Sequence, residues 1–382
     1  MTNAVLDDLL ARAVANGAAP GLVALVAGRD GTIYAGVANR CEDTPALTRD
    51  NVFCLASCTK LVTAVAALQC VERGLLALDD PIDGILPGFA EYQVLAGFGE
   101  DGAPLLRAPS RRITLRHLLT HMSGLGYDFT DSDLLRARGP AGPPPATSLA
   151  GLRSPLKFDP GEGWLYGVGS DWAGLVVEAA SGRSLDDWFS GEIFAPLDMR
   201  DTGFAVPAAN AAQLHARSGA REFTAIPALI ADRSEWEYAS GGGGLFGTAG
   251  DYLRLLRALL GGGDGILTAA SIDLLFAPQT GLHRAGAFDS VSSALSARFD
   301  LFPDMATAWS LGGLINPQAV PGGRSAGSLG WAGIANTHYW VDREAGLCAV
   351  LMAQVLPFAD PAMIATLRAF ESTVYTHVAP HM

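Results

Sequence analysis

The run Cys58–Arg73, CTKLVTAVAALQCVER, constrains this chain more than any other stretch. It is apolar nearly all round, so as a helix it has no face to give to water and belongs at the centre of a sizeable molecule. Gly74 supplies its stop. A chain of 382 residues, 49% hydrophobic and 17% charged, is long enough to build that surrounding core as one large domain or two ordinary ones. One residue in the run is out of place. Lysine occurs only at positions 60 and 157, and Lys60 falls inside the apolar helix. Burial is expected to lower its pKa toward the neutral amine, a proton acceptor, which an arginine there could not become. Ser57, three residues earlier at the expected helix start, projects from the same face. The unpaired N–H groups and partial positive charge of a helix N-terminus would also favour a developing oxyanion. The pair therefore reads as nucleophile and base. The alternative is that Ser57 caps the helix and Lys60 snorkels to water, and S-x-x-K arises by chance about 0.1 times in such a chain.

The ends of the chain carry the strand signals. Leu22–Ala27 and Thr32–Ala38 read as strands joined by the turn Gly28-Arg-Asp-Gly31. Thr337–Val341 and Leu347–Gln354 flank a second turn at Asp342–Gly346. The first helix places Leu6, Leu9, Leu10 and Ala13 on one face. The last begins at Asp360-Pro361, a fitting N-cap and first residue, and lines up Met363, Leu367, Phe370 and Val374. Between them, from about Asp79 to Ile230, the pattern changes to short helical pieces such as Leu115–His121, Asp171–Ala180 and Leu185–Phe194, with no convincing strand alternation. The expected fold is α/β of the α+β kind: one antiparallel sheet assembled from both termini and covered by the terminal helices. Residues 1–78 and 231–382 would form the sheet part, and residues 79–230 a mostly helical insertion. The Pro-rich Gly139–Pro145 reads as a surface loop near a pocket mouth.

A net charge of −13 and a pI near 4.9 argue against a nucleic-acid partner or an anionic membrane surface; small neutral substrates fit better. The N-terminus lacks the basic start and apolar run of a signal peptide, and no apolar run approaches the roughly 20 residues that span a bilayer, so a cytoplasmic protein without a membrane helix is expected. The five cysteines, Cys41, Cys54, Cys58, Cys70 and Cys348, are odd in number and form no C-x-x-C pair. They read as free, buried thiols, with Cys58 to be watched for thiolate character at a helix start.

Phe53-Cys-Leu-Ala-Ser57-Cys-Thr-Lys60 followed by an apolar helix resembles the S-x-x-K motif of serine β-lactamases and penicillin-binding proteins. Leu118–Leu125 (LLTHMSGL), Pro160–Tyr166 (PGEGWLY), Ile193–Met199 (IFAPLDM) and Gly241–Gly247 (GGGGLFG) resemble, in order, further landmarks of the class C β-lactamase-like group. The resemblance runs from about Pro20 to Val355 and implies a β-lactamase-like fold. In that group the second motif is Tyr-x-Asn. Here Tyr166-Gly167-Val168 stands in its place, which implies that Tyr166 takes the serine proton and returns one to the leaving group. The third motif, Lys-Thr-Gly, is replaced by the run Gly330-Trp331-Ala332-Gly333-Ile334. The lost lysine helps bind a β-lactam carboxylate, so the chain resembles family VIII carboxylesterases more closely, many of which carry Trp-x-Gly there.

The resemblance further implies an oxyanion hole from the backbone N–H groups of Ser57 and Ile334, with small residues at Ala332 and Gly333 allowing close approach. Trp331, Ala332, Gly333, Tyr127 and Val168 are the candidate substrate contacts. The expected activity is hydrolysis of carboxylic esters, short-chain ones, through a Ser57 acyl-enzyme with Lys60 and Tyr166 as acid and base, using no cofactor and no metal. A β-lactamase, a D-amino-acid peptide or amide hydrolase, an acyltransferase and a penicillin-binding module without turnover use the same apparatus and stay open. Gly323-Arg-Ser325-Ala-Gly327 fits the G-x-S-x-G elbow but lacks the strand before it and the helix after it. His117 and His121 are spaced for a metal but lack the glutamate of H-E-x-x-H, and Gly241–Gly244 reads as a tight turn near the site.

Overall fold

The computed structural model describes residues 2–40, 46–205, 210–227 and 236–379. The strands expected at the two ends meet in one sheet of seven strands. Its order is Ala308–Trp309, Leu314–Ile315, Leu329–Gly333, Thr337–Asp342, Leu347–Met352, Gly21–Gly28 and Thr32–Asn39. Every neighbouring pair is antiparallel. The join between the termini is the pairing of Gly21–Gly28 with Leu347–Met352, in which Leu25 faces Val350 and Ala27 faces Cys348.

Both faces of this sheet are buried, and alternation along the strands divides the side chains between two cores. Leu22, Ala24 and Val26 point outward with Trp340, Ala349 and Leu351. They pack under Leu6 and Leu10 of the helix Thr2–Ala15 and under Met363, Leu367, Phe370 and Val374 of the helix Pro361–His377. Asp360 caps the latter, accepting from the N–H groups of Ala362 and Met363. Val23, Leu25, Tyr339, Val341 and Val350 point inward, toward the helix that the apolar run predicts.

That helix spans Thr59–Glu72, and every residue from Thr59 to Cys70 is buried. It packs against the helices Gly169–Ser181, Leu185–Phe189 and Ala269–Phe276. Its buried Gln69 donates to the carbonyls of Glu192 and Ile266 and accepts from the Trp188 indole (2.9 Å), which accounts for a polar residue at that depth. One apolar cluster runs from the inner sheet face through this helix to Leu118, Trp172 and Phe189.

Residues 79–230 are less purely helical than their sequence suggests. They hold the expected helices as Leu115–Leu119, Gly169–Ser181 and Leu185–Phe189, the last continuing into a π-helical turn at Ser190–Phe194. They also hold a hairpin, Val94–Phe98 with Pro104–Arg107, and the strands His215–Arg217 and Phe223–Ala225. These strands are short, and Pro104–Arg107 is exposed at every position, so neither length nor alternation could announce them. His215–Arg217 pairs in parallel with Val355–Leu356. The boundary expected at residues 230–231 lies outside the described residues, as does Cys41. Among the described residues no helix is long and apolar enough to cross a membrane.

Candidate active site

Ser57 lies on a single 3-10 turn, Ala56–Cys58, that leads into the buried helix. Ala56 just before it has φ of +44°, a left-handed value that costs a residue with a Cβ about 1–2 kcal/mol. The neighbouring chain explains the tight course. A Cβ on Gly333 would come within 2.5 Å of the Leu55 carbonyl oxygen, so only glycine lets the end of the strand Leu329–Gly333 lie against the segment that carries the serine. Ile334 follows at once and lines the same cavity as Ser57.

Lys60, one turn into the helix, is 2% exposed. Its Nζ donates to Ser57 Oγ (3.1 Å), to Tyr127 Oη (2.9 Å) and to the Gly242 carbonyl (2.7 Å). Three acceptors match the three protons of an ammonium. The neutral amine expected from the sequence is therefore corrected. Burial does pull this group down, but Tyr127, Tyr166 and Asp171 outweigh it and hold its pKa above the ordinary lysine value. What opposes burial is a set of oxygens from distant parts of the chain.

Tyr166 is 4% exposed and touches the lysine differently from the way its place in the motif suggests. Lys60 Nζ stands over its ring, 4.9 Å from the centroid, while the phenol bonded to the lysine is that of Tyr127. The Tyr166 oxygen instead accepts from the Trp331 indole N–H at 2.9 Å. Trp331 lies on the strand Leu329–Gly333, packed edge-on against Trp309 (4.5 Å) and Phe299 (5.6 Å). Tyr127 is a buried phenol whose pKa burial pushes up, with Lys60 acting the other way.

Asp171 was not singled out in the sequence. It sits in the first turn of the helix Gly169–Ser181, 3% exposed, and accepts from Ser240 Oγ (2.5 Å) and the Gly242 N–H (3.0 Å). Burial raises its pKa above the ordinary carboxyl value, while Lys60 and these two donors oppose the rise. The carboxylate thus holds one side of the Gly242 residue, whose carbonyl receives the lysine proton on the other. A Cβ on Gly242 would lie 2.2 Å from an Asp171 oxygen, which is why the glycine run reads as a tight turn by the site.

These groups open into a cavity of ≈ 550 Å³. Of the expected substrate contacts, Tyr127, Val168, Trp331 and Ala332 line it, whereas Gly333 faces Leu55 behind the wall. The remaining wall is largely apolar, including Phe129, Leu135, Phe288, Leu295 and Phe358. Arg138, at the wall, is held by Asp128 through two contacts of 3.1 Å. Pro143, Pro144 and Ala146 of the Pro-rich loop do reach the rim, where Tyr238 Oη donates to the Ala146 carbonyl. The aromatic wall was illegible because its members, among them Tyr127, Phe129, Tyr166, Phe288, Trp331 and Phe358, come from stretches far apart in the chain.

The other candidates lie elsewhere. Ser325 is in a loop, its N–H donating to Asp342 and its carbonyl accepting from Ser328 and Asn316. The His117 Nδ1 accepts from the Thr114 N–H in a capping box, and His121 packs against Tyr166 instead. Cys54, Cys58, Cys70 and Cys348 are free and buried; burial pushes the Cys54 thiol up to about 12 and Cys58 higher still, which suits packing.

The model of the family described as Beta-lactamase matches residues 6–372. The chain belongs to that family. Over 341 residues it is 36% identical to a lovastatin esterase of Penicillium rubens, covering 85% of each chain. Over 359 residues it is 34% identical to a monacolin J acid methylbutanoyltransferase of Aspergillus terreus, covering 88% of this chain and 85% of the relative. Among solved structures it is similar to a simvastatin synthase variant from Aspergillus terreus, with a TM-score of 0.86, 30% identity, and coverage of 100% of this chain and 96% of that one. The family model agrees with the resemblance that the S-x-x-K segment and its companions carry.

Proposed function

We propose that the chain is a serine esterase that transfers an acyl group from an apolar ester to water or to a second alcohol. The observation that carries this reading is the Lys60 ammonium bonded at once to Ser57, Tyr127 and Gly242, three residues that line a cavity of ≈ 550 Å³. Ser57 Oγ attacks the ester carbonyl and gives its proton to Tyr166, which enters the step as the phenolate and leaves it as the neutral phenol. Lys60 donates to Oγ throughout and lies over the Tyr166 ring, and the Trp331 N–H donates to the phenolate oxygen before the proton arrives. Tyr166 then returns the proton to the departing alcohol. The acyl-enzyme is released when water or another alcohol gives its proton to Tyr166 and attacks the acyl carbon. The N–H groups of Ser57 and Ile334 would receive the carbonyl oxygen. Lys60 is thus assigned a fixed charge in place of the neutral base expected at first.

The cavity also bears on substrate. Pockets of roughly 300–1,000 Å³ hold drug-sized ligands, so a bulky apolar alcohol fits beside a short acyl chain. The activities of the relatives, one an esterase and one an acyltransferase, support both outcomes. A β-lactamase reading has less support, because Trp331 stands where that chemistry uses a lysine.

The test is p-nitrophenyl butanoate turnover by Ser57→Ala and Ser325→Ala chains. Loss with the first and retention with the second is expected; activity that survives only in Ser57→Ala overturns the assignment. Adding an alcohol during turnover and measuring the new ester against free acid separates the transferase outcome from hydrolysis. A stable acyl adduct without turnover, seen by mass spectrometry, would instead mark a penicillin-binding module.

A further inference from the structure

His121 is a residue that the proposed mechanism does not use, yet it is 1% exposed in the wall of aromatic rings around Tyr166. It follows the short helix Leu115–Leu119 and adopts φ of +59°, a left-handed conformation in which glycine or asparagine is the usual occupant. A bulky ring held there is a local cost that the surrounding structure enforces. The enforced conformation has a visible consequence. The His121 carbonyl accepts from the Leu165 N–H at 3.0 Å, and its Nδ1 accepts from the Gly167 N–H at 3.4 Å. These are the two peptide N–H groups on either side of Tyr166.

The rest of the cradle is built from the same segment. The Tyr127 N–H donates to the Tyr166 carbonyl at 3.2 Å. A Cβ on Gly167 would come within 2.1 Å of the Leu125 carbonyl oxygen, so the two segments run too close for any side chain there. The His121 ring lies 4.8 Å from the Tyr166 ring and 4.9 Å from that of Trp309, which limits where the phenol can swing. Burial, aided by the charge of Lys60, keeps the imidazole neutral, so Nδ1 retains the lone pair that receives the Gly167 N–H. The proton is then on Nε2, which has no hydrogen-bond partner among the described residues. This histidine is therefore not part of a proton relay.

We propose that His121 is a positioning residue for Tyr166: a left-handed clamp whose main-chain oxygen and ring nitrogen grip the backbone on both sides of the tyrosine and aim its hydroxyl at the reacting oxygens. The proposal rests on the reading of Tyr166 as the group that protonates the leaving alcohol. It gives a physical task to the Leu118–Leu125 landmark, which contributes no atom to the reaction in that reading. A displacement of about 1 Å in an aligned catalytic group can cost on the order of 100-fold in rate, so a clamp on the backbone is a sufficient means of control.

The experiment compares two esters of one acid. p-Nitrophenolate departs without a proton, whereas ethoxide needs one, so a misplaced proton donor hurts ethyl butanoate more than p-nitrophenyl butanoate. A purely structural defect lowers both rates alike. His121→Phe keeps a ring and removes the Nδ1 acceptor; His121→Asn keeps an acceptor near that position and tolerates the left-handed backbone. Tyr166→Phe is the benchmark. The expected result is that His121→Phe loses roughly 10–100-fold more kcat on the ethyl ester than on the p-nitrophenyl ester, with KM little changed and in the same direction as Tyr166→Phe, while His121→Asn stays near the parent on both. Equal losses on the two esters, or equal behaviour of the Phe and Asn chains, overturn the proposal. If His121→Phe does not fold, as judged by its melting transition, His121→Gly carries the same comparison, because it removes the acceptor and relieves the backbone. A Tyr166→Phe chain with no preferential loss on the ethyl ester refutes the assigned role of Tyr166 itself, a different outcome from failure of the clamp.

Discussion

Replacing Trp331 by Phe isolates one hydrogen bond of the site. The indole N–H donates to the Tyr166 oxygen at 2.9 Å, and both residues are buried, at 6% and 4% exposure. A phenyl ring at position 331 retains most of the edge-on packing against Trp309 and Phe299, so the change removes a donor more than a surface. A hydrogen bond between neutral partners contributes about 0.5–1.5 kcal/mol, and one to a charged partner about 1.5–3 kcal/mol. If the N–H serves only to pack the phenol, its loss acts equally on the resting enzyme and the transition state, and kcat hardly moves. If it stabilises the phenolate that takes the serine proton, the larger figure applies to forming that state and so to the barrier. At about 1.4 kcal/mol per tenfold in rate, kcat then falls by roughly 10–100-fold. Initial rates over a range of p-nitrophenyl butanoate concentrations separate kcat from KM, and a urea titration reports the accompanying stability loss, expected at about 1–2 kcal/mol for the smaller ring. A kcat within about threefold of the parent, under ~0.7 kcal/mol of barrier, or a loss confined to KM, would refute the role given to this N–H.

Three other perturbations follow from the structure. Gly242→Ala would push a methyl group into Asp171, whose oxygen lies 2.2 Å from the ideal Cβ position; activity should drop sharply as the carbonyl that receives Lys60 shifts, with a stability loss of about 1–3 kcal/mol by thermal or urea unfolding. Glu371 and Arg324 form a buried pair joined through Nε at 2.8 Å and Nη2 at 2.7 Å. Glu371→Ala should destabilise by about 3–5 kcal/mol, and a double change to apolar residues by clearly less, because only the single change strands a buried charge. Asp159 has its pKa depressed, first by the hydrogen bond from Arg107 and then by the Ser110 N–H, so its contribution is present above the unfolded carboxyl range and is lost as pH falls through the folded value. Urea midpoints below about pH 4 should therefore fall less steeply with acid in Asp159→Asn than in the parent.

Much of the architecture was legible before folding. Leu6 and Leu10, and Met363, Leu367, Phe370 and Val374, sit where helical periodicity puts them, and the strands around Val23 and Val350 follow their apolar pattern to within a residue or two. Local spacing also sufficed to bring Ser57 and Lys60 together, since one helical turn sets their distance whatever surrounds them. The hairpin at Val94–Arg107 escaped notice because it does not alternate between buried and exposed positions.

The sequence by itself determined that Ser57 and Lys60 meet, the order of the motifs and which segments form the sheet strands, because each depends on the pattern of a few consecutive residues. Only the tertiary structure decided the state of Lys60. Its ammonium depends on oxygens from Tyr127 and Gly242 and on the charge of Asp171, all brought in from far along the chain. Tertiary structure also gave Tyr127 the lysine and Tyr166 the indole, and set His121 against the backbone of Tyr166. Electrostatic interactions act through space and not along the chain, so the chemistry of a buried group is settled by whichever segments fold around it.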